Sequence, residues 1–227
     1  MRKKTTGSVK AGVEVKLGRR ERNKREKRER ILNAARDLFR KKGFAATTAQ
    51  EIADVADVGF GTLYLYTGSK EDLLIQVFEE EMHMVMDRSF AAVTTTASLP
   101  QQLEQFFTVM MEYHKEDLPL GRALFRELAF VSNTRRRHEV SQLVGDVYAK
   151  VGELARRAQL RGEVDAHVSA EQVARVTFAI YHDLLQALLG EYATEDHFRR
   201  QLRKSFDLLM AGLSPQTTSL QPKRRRP

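Results

Sequence analysis

Apolar residues recur at helical spacing along almost the whole chain, and the strict alternation that is typical of strands is nearly absent. The first long apolar stripe begins at Ile31 and stops at Gly43, a residue type that often ends helices. Further patterns predict helices from Ser69 towards Phe90, from Pro100, from Pro119, from about 134 to 161, over 169–190 and over 194–212. With two short helices between Thr47 and Thr67, the pattern predicts an all-α protein of about nine helices.

Residues 47–74 read TTAQEIADVADVGFGTLYLYTGSKEDLL and predict a short helix, a tight turn, a second short helix and the start of a third. Ile52 and Val58 are apolar where the two short helices must face each other. Asp57 stands at the turn position that needs a left-handed backbone, which Asp tolerates. This layout predicts a helix-turn-helix, whose second helix enters the major groove of DNA. The alternative is an ordinary helical hairpin inside an α-helical core.

Positive charge is concentrated at the two ends of the chain. Residues 1–28 hold twelve Lys or Arg and three Glu, which gives +9, and Lys223 to Arg226 add +4. The body between them is mildly acidic, a distribution expected of a nucleic-acid binder. We predict a disordered basic arm over 1–20 and a disordered basic tail over 214–227, and we hypothesise that Arg2 to Arg28 reaches the minor groove or phosphates. Basic ends that only aid solubility are the alternative for the tail.

Composition excludes several classes of site. The chain has no Cys, so disulfides and thiolate chemistry are ruled out. No apolar run approaches the ~18 residues of a membrane span, and no apolar segment follows the basic start, so we expect a cytoplasmic protein without a membrane partner. Glu79 and His83 could share a metal ion, but no second ligand pair accompanies them. We therefore predict no metal, no cofactor and no enzymatic activity, because the usual catalytic motifs are also missing.

Residues 31–74 resemble the tetracycline-repressor (TetR) family of bacterial transcription regulators. The resemblance rests on the Gly-Phe turn at 43–44, the Thr-Thr pair at 47–48, GTLY at 61–64 and SKEDLL at 69–74, which occur together. It implies a helix-turn-helix DNA-binding domain over 21–68 and a helical effector-binding and dimerisation domain over 69–213. It also implies a repressor that a small apolar or aromatic effector, of unknown identity, releases from a palindromic double-stranded operator. An architectural or cell-division DNA-binding protein without an effector is the alternative.

The resemblance and the docking geometry of helix-turn-helix proteins together imply a set of DNA-contacting residues. Thr48 and Lys70 are expected to hold phosphates, and the start of the second short helix is expected to face the groove. Gly59 and Phe60 replace polar residues there, so few hydrogen bonds to bases are expected. Thr67 replaces a frequent Phe. The full predicted set is Thr48, Gln50, Gly59, Phe60, Gly61, Thr62, Tyr64, Tyr66 and Lys70.

The helix predicted over 169–190 is apolar on more than one face, so it must be buried on two sides. The last helix, over 194–212, carries a stripe of Phe198, Leu202, Phe206, Leu209 and Leu213. The resemblance implies that these two helices form a four-helix interface in a homodimer, whose two recognition helices would read two half-sites. The alternative is a monomer whose last helices complete one core.

Aromatic, Met and His residues on the predicted helices of the second domain have the composition of a pocket for an apolar ligand. Ordinary core packing is the alternative for each of them. The candidate effector-binding residues are His83, Met86, Phe107, Met110, His114, Phe125, Tyr148, Phe178 and His182.

Overall fold

The computed structural model describes residues 18–131 and 133–214, and within these ranges it contains nine α-helices and no strand. The all-α prediction is therefore confirmed. Residues 1–17 of the predicted arm and 215–227 of the predicted tail lie outside the described residues. The helices are α1 (Arg19–Lys42), α2 (Ala49–Val55), α3 (Phe60–Thr67), α4 (Lys70–Ala91), α5 (Leu99–Glu116), α6 (Leu118–Ala129), α7 (Thr134–Leu160), α8 (Ala170–Leu189) and α9 (Glu195–Leu213).

Helix α1 begins at Arg19, so Arg19 and Arg20, which we assigned to the arm from sequence, are helical. The helix can start there because Gly18 is extended and its carbonyl accepts a hydrogen bond from the Arg22 amide at 3.0 Å. The apolar stripe that starts at Ile31 is buried, and the helix ends at Gly43, whose φ is +82°. Phe44 then folds back and packs edge-on against Phe39 with ring centroids 5.3 Å apart.

The helix-turn-helix forms as the sequence predicts. Ile52, Ala53 and Leu63 are buried where α2 and α3 face the core. Asp57 has φ +51°, the left-handed conformation that the turn requires. Thr67, at the position of the frequent Phe, is buried, and its hydroxyl donates to the Leu63 carbonyl at 3.0 Å. A local hydrogen bond thus satisfies the polar side chain that replaces an aromatic one.

Helix α4 connects the helix-turn-helix to the rest of the molecule. It starts at Ser69, whose Oγ accepts from the Asp72 amide at 2.9 Å and so caps the helix as predicted. Its residues from Leu73 to Phe78 are buried on all sides, because α4 packs against α1 and α3 as well as α5, α6 and α7. Any movement of α4 therefore moves contacts in both domains.

The C-terminal helices enclose an aromatic core. Phe107 of α5 stacks on Tyr181 of α8 with ring centroids 4.8 Å apart, and Phe206 of α9 lies 5.9 Å from Phe107. The predicted α9 stripe needs a correction here, because Phe198, Leu202 and Phe206 are fully buried within one chain. They cannot be the exposed part of a dimer surface, since α5 and α8 already cover them. The most exposed large apolar side chain of α9 is that of Leu208, which is 78% exposed.

Candidate nucleic-acid interface and ligand cavity

The exposed face of α3 is apolar and aromatic. Phe60 and Tyr64 are 45% and 42% exposed and pack edge-on, with ring centroids 5.0 Å apart. Gly59 and Gly61 are exposed beside them, and Thr62 is partly buried. Burying one aromatic edge against the other fixes both rings on this face. The arrangement presents ring edges to a partner, with a single hydroxyl group from Tyr64, and suits contact with thymine methyl groups and a phosphate.

Two further apolar side chains of the helix-turn-helix are exposed and were missed from sequence. Leu65 of α3 is 86% exposed, and Val55 at the end of α2 is also exposed. Their spacing gave a helix period without saying which face is left open, so no local signal could have found them. Tyr66 is partly buried and, together with Leu65, lines a cleft beside Arg28 and Gln76.

At the start of α2 the predicted contact residues already have partners. The Thr48 hydroxyl accepts from the Glu51 amide at 3.2 Å, and the Thr48 amide donates to Glu51 Oε2 at 2.9 Å, which closes a capping box. Gln50 Nε2 donates to Asp54 Oδ1 at 2.7 Å. The Lys42 ammonium and the Thr48 groups hold the pKa of Glu51 at about 2. A carboxylate therefore occupies the helix end at which a phosphate was expected.

Lys70 is also engaged within the protein. Its Nζ donates to the Phe44 carbonyl at 3.0 Å and to the Thr47 carbonyl at 2.9 Å, and it lies 4.4 Å from the centre of the Phe44 ring. These contacts tie the start of α4 to the loop before α2. The ammonium keeps one donor for a phosphate, so its first role in this structure is to hold the loop.

Helix α1 fixes the turn of the helix-turn-helix through an ion pair that the sequence pattern did not predict. Arg30 lies one turn after Glu26, at the i,i+4 spacing that favours an ion pair within a helix. Its Nη1 instead lies 3.1 Å from Asp57 Oδ2, and Nη2 approaches the Asp57 carbonyl at 3.4 Å. Arg25 and Glu29, at the same spacing, do pair, at 2.8 Å. The residue with the left-handed backbone is thereby held against α1.

A cavity of about 420 Å³ lies in the second domain between α4, α5, α6, α7 and α8. Among the described residues that line it, none is Asp, Glu, Lys or Arg. The lining residues are Phe78, Met82, Met110, His114, Phe125, Leu128, Ala129, Val140, Leu143, Val144, Val147, Phe178, Tyr181, His182 and Leu185. Its size and composition are those of a site for a small, mostly apolar molecule.

Five of the predicted effector residues line this cavity, namely Met110, His114, Phe125, Phe178 and His182. The other four lie elsewhere. His83 and Met86 line an open cleft on the other side of α4, and His83 is exposed with its Nδ1 3.9 Å from Asp146 Oδ2. Phe107 is buried behind Tyr181, and Tyr148 packs edge-on behind Phe178, so both support cavity residues from outside. Helical spacing alone cannot distinguish the residues that line the cavity from the residues that pack behind them.

Three polar residues face the cavity. Burial lowers the pKa of His114 to about 4, and the nearby His182 contributes to the shift, so the His114 imidazole is neutral at ordinary pH. Partial burial also lowers the pKa of His182, whose ring stacks on Phe125 with centroids 4.5 Å apart. Tyr181 lies deeper, between Phe107 and Phe178. The cavity therefore offers hydrogen bonds from uncharged groups.

A buried carboxylate lies between the cavity wall and α1. Glu81 of α4 accepts from Arg36 Nε and Arg40 Nη2 on Oε1, both at 3.0 Å, and from the Tyr113 hydroxyl on Oε2 at 2.7 Å. Tyr113 precedes the cavity residue His114, and Phe78 contacts both of their rings. Glu81 thus joins the first helix of the DNA-binding unit to the helix that carries a cavity residue.

Two features are absent from residues 18–131 and 133–214. These ranges contain no group of three His, Asp or Glu side chains placed to hold a metal ion. They also contain no helix that is both long enough and apolar enough to cross a membrane.

One long helix joins the helix-turn-helix to an all-helical domain with an apolar cavity. This architecture is that of a helical DNA-binding regulator. Residues 31–77 match the family model described as bacterial regulatory proteins, tetR family. This segment therefore matches the family's model, which confirms the resemblance predicted from the sequence.

Individual relatives agree with the assignment. A stretch of 63 residues is 48% identical to an uncharacterized HTH-type transcriptional regulator, YerO of Bacillus subtilis, and covers 28% of this chain but only 22% of that protein. The HTH-type transcriptional repressor KstR of Mycobacterium tuberculosis is 27% identical over 82% of this chain and 81% of its own length. The structure of Thermus thermophilus FadR, a TetR-family repressor in complex with lauroyl-CoA, superposes with a TM-score of 0.68 and 25% identity, covering 85% of this chain and 97% of FadR.

Proposed function

We propose that this protein is a DNA-binding transcriptional repressor that a small, mostly apolar effector releases from a palindromic operator. The observation that carries the proposal is the pairing of two features on one helix. The start of α4 packs against α3 and holds the loop before α2 through Lys70, and its middle lines the cavity through Phe78 and Met82. A molecule that fills the cavity therefore acts on the helix that positions α3.

The DNA contacts that we propose divide into two kinds. The exposed α3 face, with Phe60, Tyr64 and Leu65, reads the major groove through apolar contacts. The hydroxyl of Tyr64 and the exposed cations of α1, such as Arg22 and Lys27, bind phosphates. Few hydrogen bonds to base edges are available, so phosphate contacts supply a large share of the affinity, and the affinity falls steeply with salt.

We propose that two copies of the chain form a homodimer through α8 and α9. Support comes from the side chains that one copy leaves uncovered. Leu208 of α9 is largely exposed, and Ile180 and Leu184 of α8 are only partly buried. A twofold interface on these helices would cover them and would present two α3 helices to two half-sites. The residues of the predicted stripe that are buried inside one chain then support the interface from behind.

The proposed response is a shift between two arrangements of α4. Effector binding in the cavity displaces Phe78, in the middle of α4, together with Tyr113 and His114, whose rings contact it. The displacement reaches α1 through Glu81 and its two arginines. The effector stabilises the arrangement for which it has the higher affinity. A dimer in that arrangement has an altered spacing between its two α3 helices and no longer fits its operator.

An apolar effector fits the cavity lining and is consistent with the similar FadR structure, which is a complex with lauroyl-CoA. Effector sensing by a protein bound to chromosomal DNA also agrees with the cytoplasmic location that we propose. Footprinting on the DNA upstream of its own and neighbouring genes tests the core of the proposal. We expect protection of a palindrome, with half-sites one helical turn or a multiple apart, that a cavity ligand abolishes. Protection that no apolar, cationic or acyl compound reverses would favour an architectural role.

A further inference from the structure

Two residues that line the cavity each carry a buried polar atom without a hydrogen-bond partner among the described residues. These atoms are Nδ1 of His114 and Oη of Tyr181. His114 is 8% exposed and Tyr181 is 2% exposed, so bulk solvent does not satisfy them. The other two such atoms, in Gln76 and Gln102, belong to residues outside the cavity lining. Buried polar atoms are normally paired, so two unpaired ones on one cavity point to a ligand that pairs with them.

We propose that the effector carries an uncharged oxygen, such as a ketone, ester, thioester or hydroxyl group, which binds to His114 and Tyr181 inside the cavity. The inference rests on the proposed effector role of the cavity and names the chemistry that it recognises. A purely hydrocarbon ligand would fill the space and leave both atoms unpaired. The polar groups of this cavity therefore select the oxygenated molecule over its hydrocarbon counterpart, as sites with buried polar groups do.

The charge of the bound group follows from the lining. Among the described lining residues there is no Lys or Arg to neutralise a carboxylate, and no Asp or Glu to neutralise an amine. Burial also keeps the His114 imidazole neutral, and an ion without a partner is costly to bury. Tyr181 can donate its hydroxyl proton to a ligand oxygen, and its raised pKa, which burial causes, keeps that proton in place.

Two matched pairs of ligands test the proposal by calorimetric titration of the full chain without DNA. Lauroyl-CoA and S-dodecyl-CoA differ only in the thioester carbonyl, and 4-phenylcyclohexanone and phenylcyclohexane differ only in the ketone. We expect the oxygenated member of at least one pair to bind about tenfold more tightly, which corresponds to about 1.4 kcal/mol. The pair that shows the preference distinguishes an acyl thioester from a ketone. Equal binding of the two members of each pair overturns the proposal. Tighter binding of laurate, whose oxygens carry a charge, than of lauroyl-CoA or 4-phenylcyclohexanone also overturns it.

Variants locate the recognition. Tyr181→Phe keeps the ring between Phe107 and Phe178 and removes only the hydroxyl, so we expect the free protein to melt at the same or a higher temperature. The preference for the oxygenated ligand should fall toward equality, while affinity for the hydrocarbon partner is unchanged. Tyr148→Phe, which removes a hydroxyl outside the cavity, should behave like the wild type. A lower melting temperature of Tyr181→Phe with an unchanged preference would show that the hydroxyl is structural and would refute the proposal. Because no DNA is present, this result is separate from the footprinting that tests the proposed function.

Discussion

The hydroxyl of Tyr113 donates to Oε2 of Glu81 at 2.7 Å and thereby connects α5 to α4. Glu81 is buried, and its other oxygen accepts from Arg36 and Arg40 of α1. Burial and the Glu81 carboxylate both raise the pKa of Tyr113, so the phenol stays protonated and remains the donor. Charge-assisted hydrogen bonds of this kind are strong and directional. They make Glu81 the polar connection between a wall of the cavity and the first helix of the DNA-binding domain.

Tyr113→Phe should weaken the response to effector more than it weakens either binding step. It removes the α5 hydrogen bond to Glu81 and leaves both arginine pairs in place. We expect operator affinity and effector affinity to stay within about threefold, and the effector-induced drop in operator affinity to shrink at least fivefold, a coupling loss of about 1 kcal/mol. Fluorescence anisotropy of labelled operator with and without ligand measures this drop. Tyr192→Phe, at an exposed tyrosine, is the control, and an unchanged response in Tyr113→Phe would exclude the Glu81 connection.

Tyr64→Ala should lower operator affinity at least tenfold without changing the oligomeric state or the melting temperature by more than a few degrees. It removes the proposed phosphate contact and also the ring that packs against Phe60. Thr62→Ala combined with it should abolish specific binding. Binding is measured on DNA selected from a random pool by the wild type. Tyr192→Ala removes an exposed tyrosine between α8 and α9 and should bind normally. Full binding by Tyr64→Ala would contradict the assignment of α3.

Lys70→Met should reduce stability rather than the salt dependence of DNA binding. It removes two hydrogen bonds to backbone carbonyls and a cation–π contact, and we expect a loss of about 2 kcal/mol in the free energy of unfolding. A phosphate contact would instead contribute about 0.9 to the slope of log affinity against log salt. Urea unfolding and salt titrations distinguish the two roles. A reduced slope with unchanged stability would restore the phosphate role predicted from sequence.

Leu208→Glu should shift the protein from dimer to monomer. The side chain is exposed on α9 within one chain, so the substitution costs little in the fold but places a charge in the proposed interface. Analytical ultracentrifugation at micromolar concentration measures the shift, and operator affinity should fall with it. Met84→Glu, at an exposed apolar residue of α4, is the matched control. A Leu208→Glu protein that stays dimeric would place the interface elsewhere.

Stability should depend on pH through His114. Its pKa is about 4 in the folded protein and about 6.5 in an unfolded chain, because burial disfavours the charged form. Below pH 6.5 the unfolded chain takes up a proton that the folded chain does not. The contribution of His114 to the free energy of unfolding therefore keeps its full value above pH 6.5 and decreases as the pH falls towards 4. We expect a loss of about 3 kcal/mol from this group, seen as a difference between wild type and His114→Leu in urea unfolding at pH 7 and pH 4. Parallel pH profiles of the two proteins would refute a buried neutral imidazole.

Local sequence patterns determine most of the helices and the helix-turn-helix, because each depends on residues a few positions apart. The Ser69 cap, the stop at Gly43 and the left-handed turn at Asp57 are all of this kind. The family resemblance, together with docking geometry, placed Phe60 and Tyr64 among the DNA-contacting residues. It could not show that Thr48 and Lys70 already have partners, since the Lys70 ammonium binds carbonyls 26 and 23 residues earlier in the chain.

For the second domain, the sequence by itself determined that the helices are amphipathic and rich in aromatic and Met residues. Only the tertiary structure decided which of these residues line the cavity and which stand behind them. Phe107 and Tyr181 show why: both occupy inward positions of apolar stripes, yet packing makes one the support of the other. The burial of Phe198, Leu202 and Phe206 inside one chain, and the partners of Glu81 from two other helices, follow from packing in the same way. Periodicity fixes the face of a helix that is apolar, whereas the neighbour that covers it depends on contacts between residues far apart in sequence.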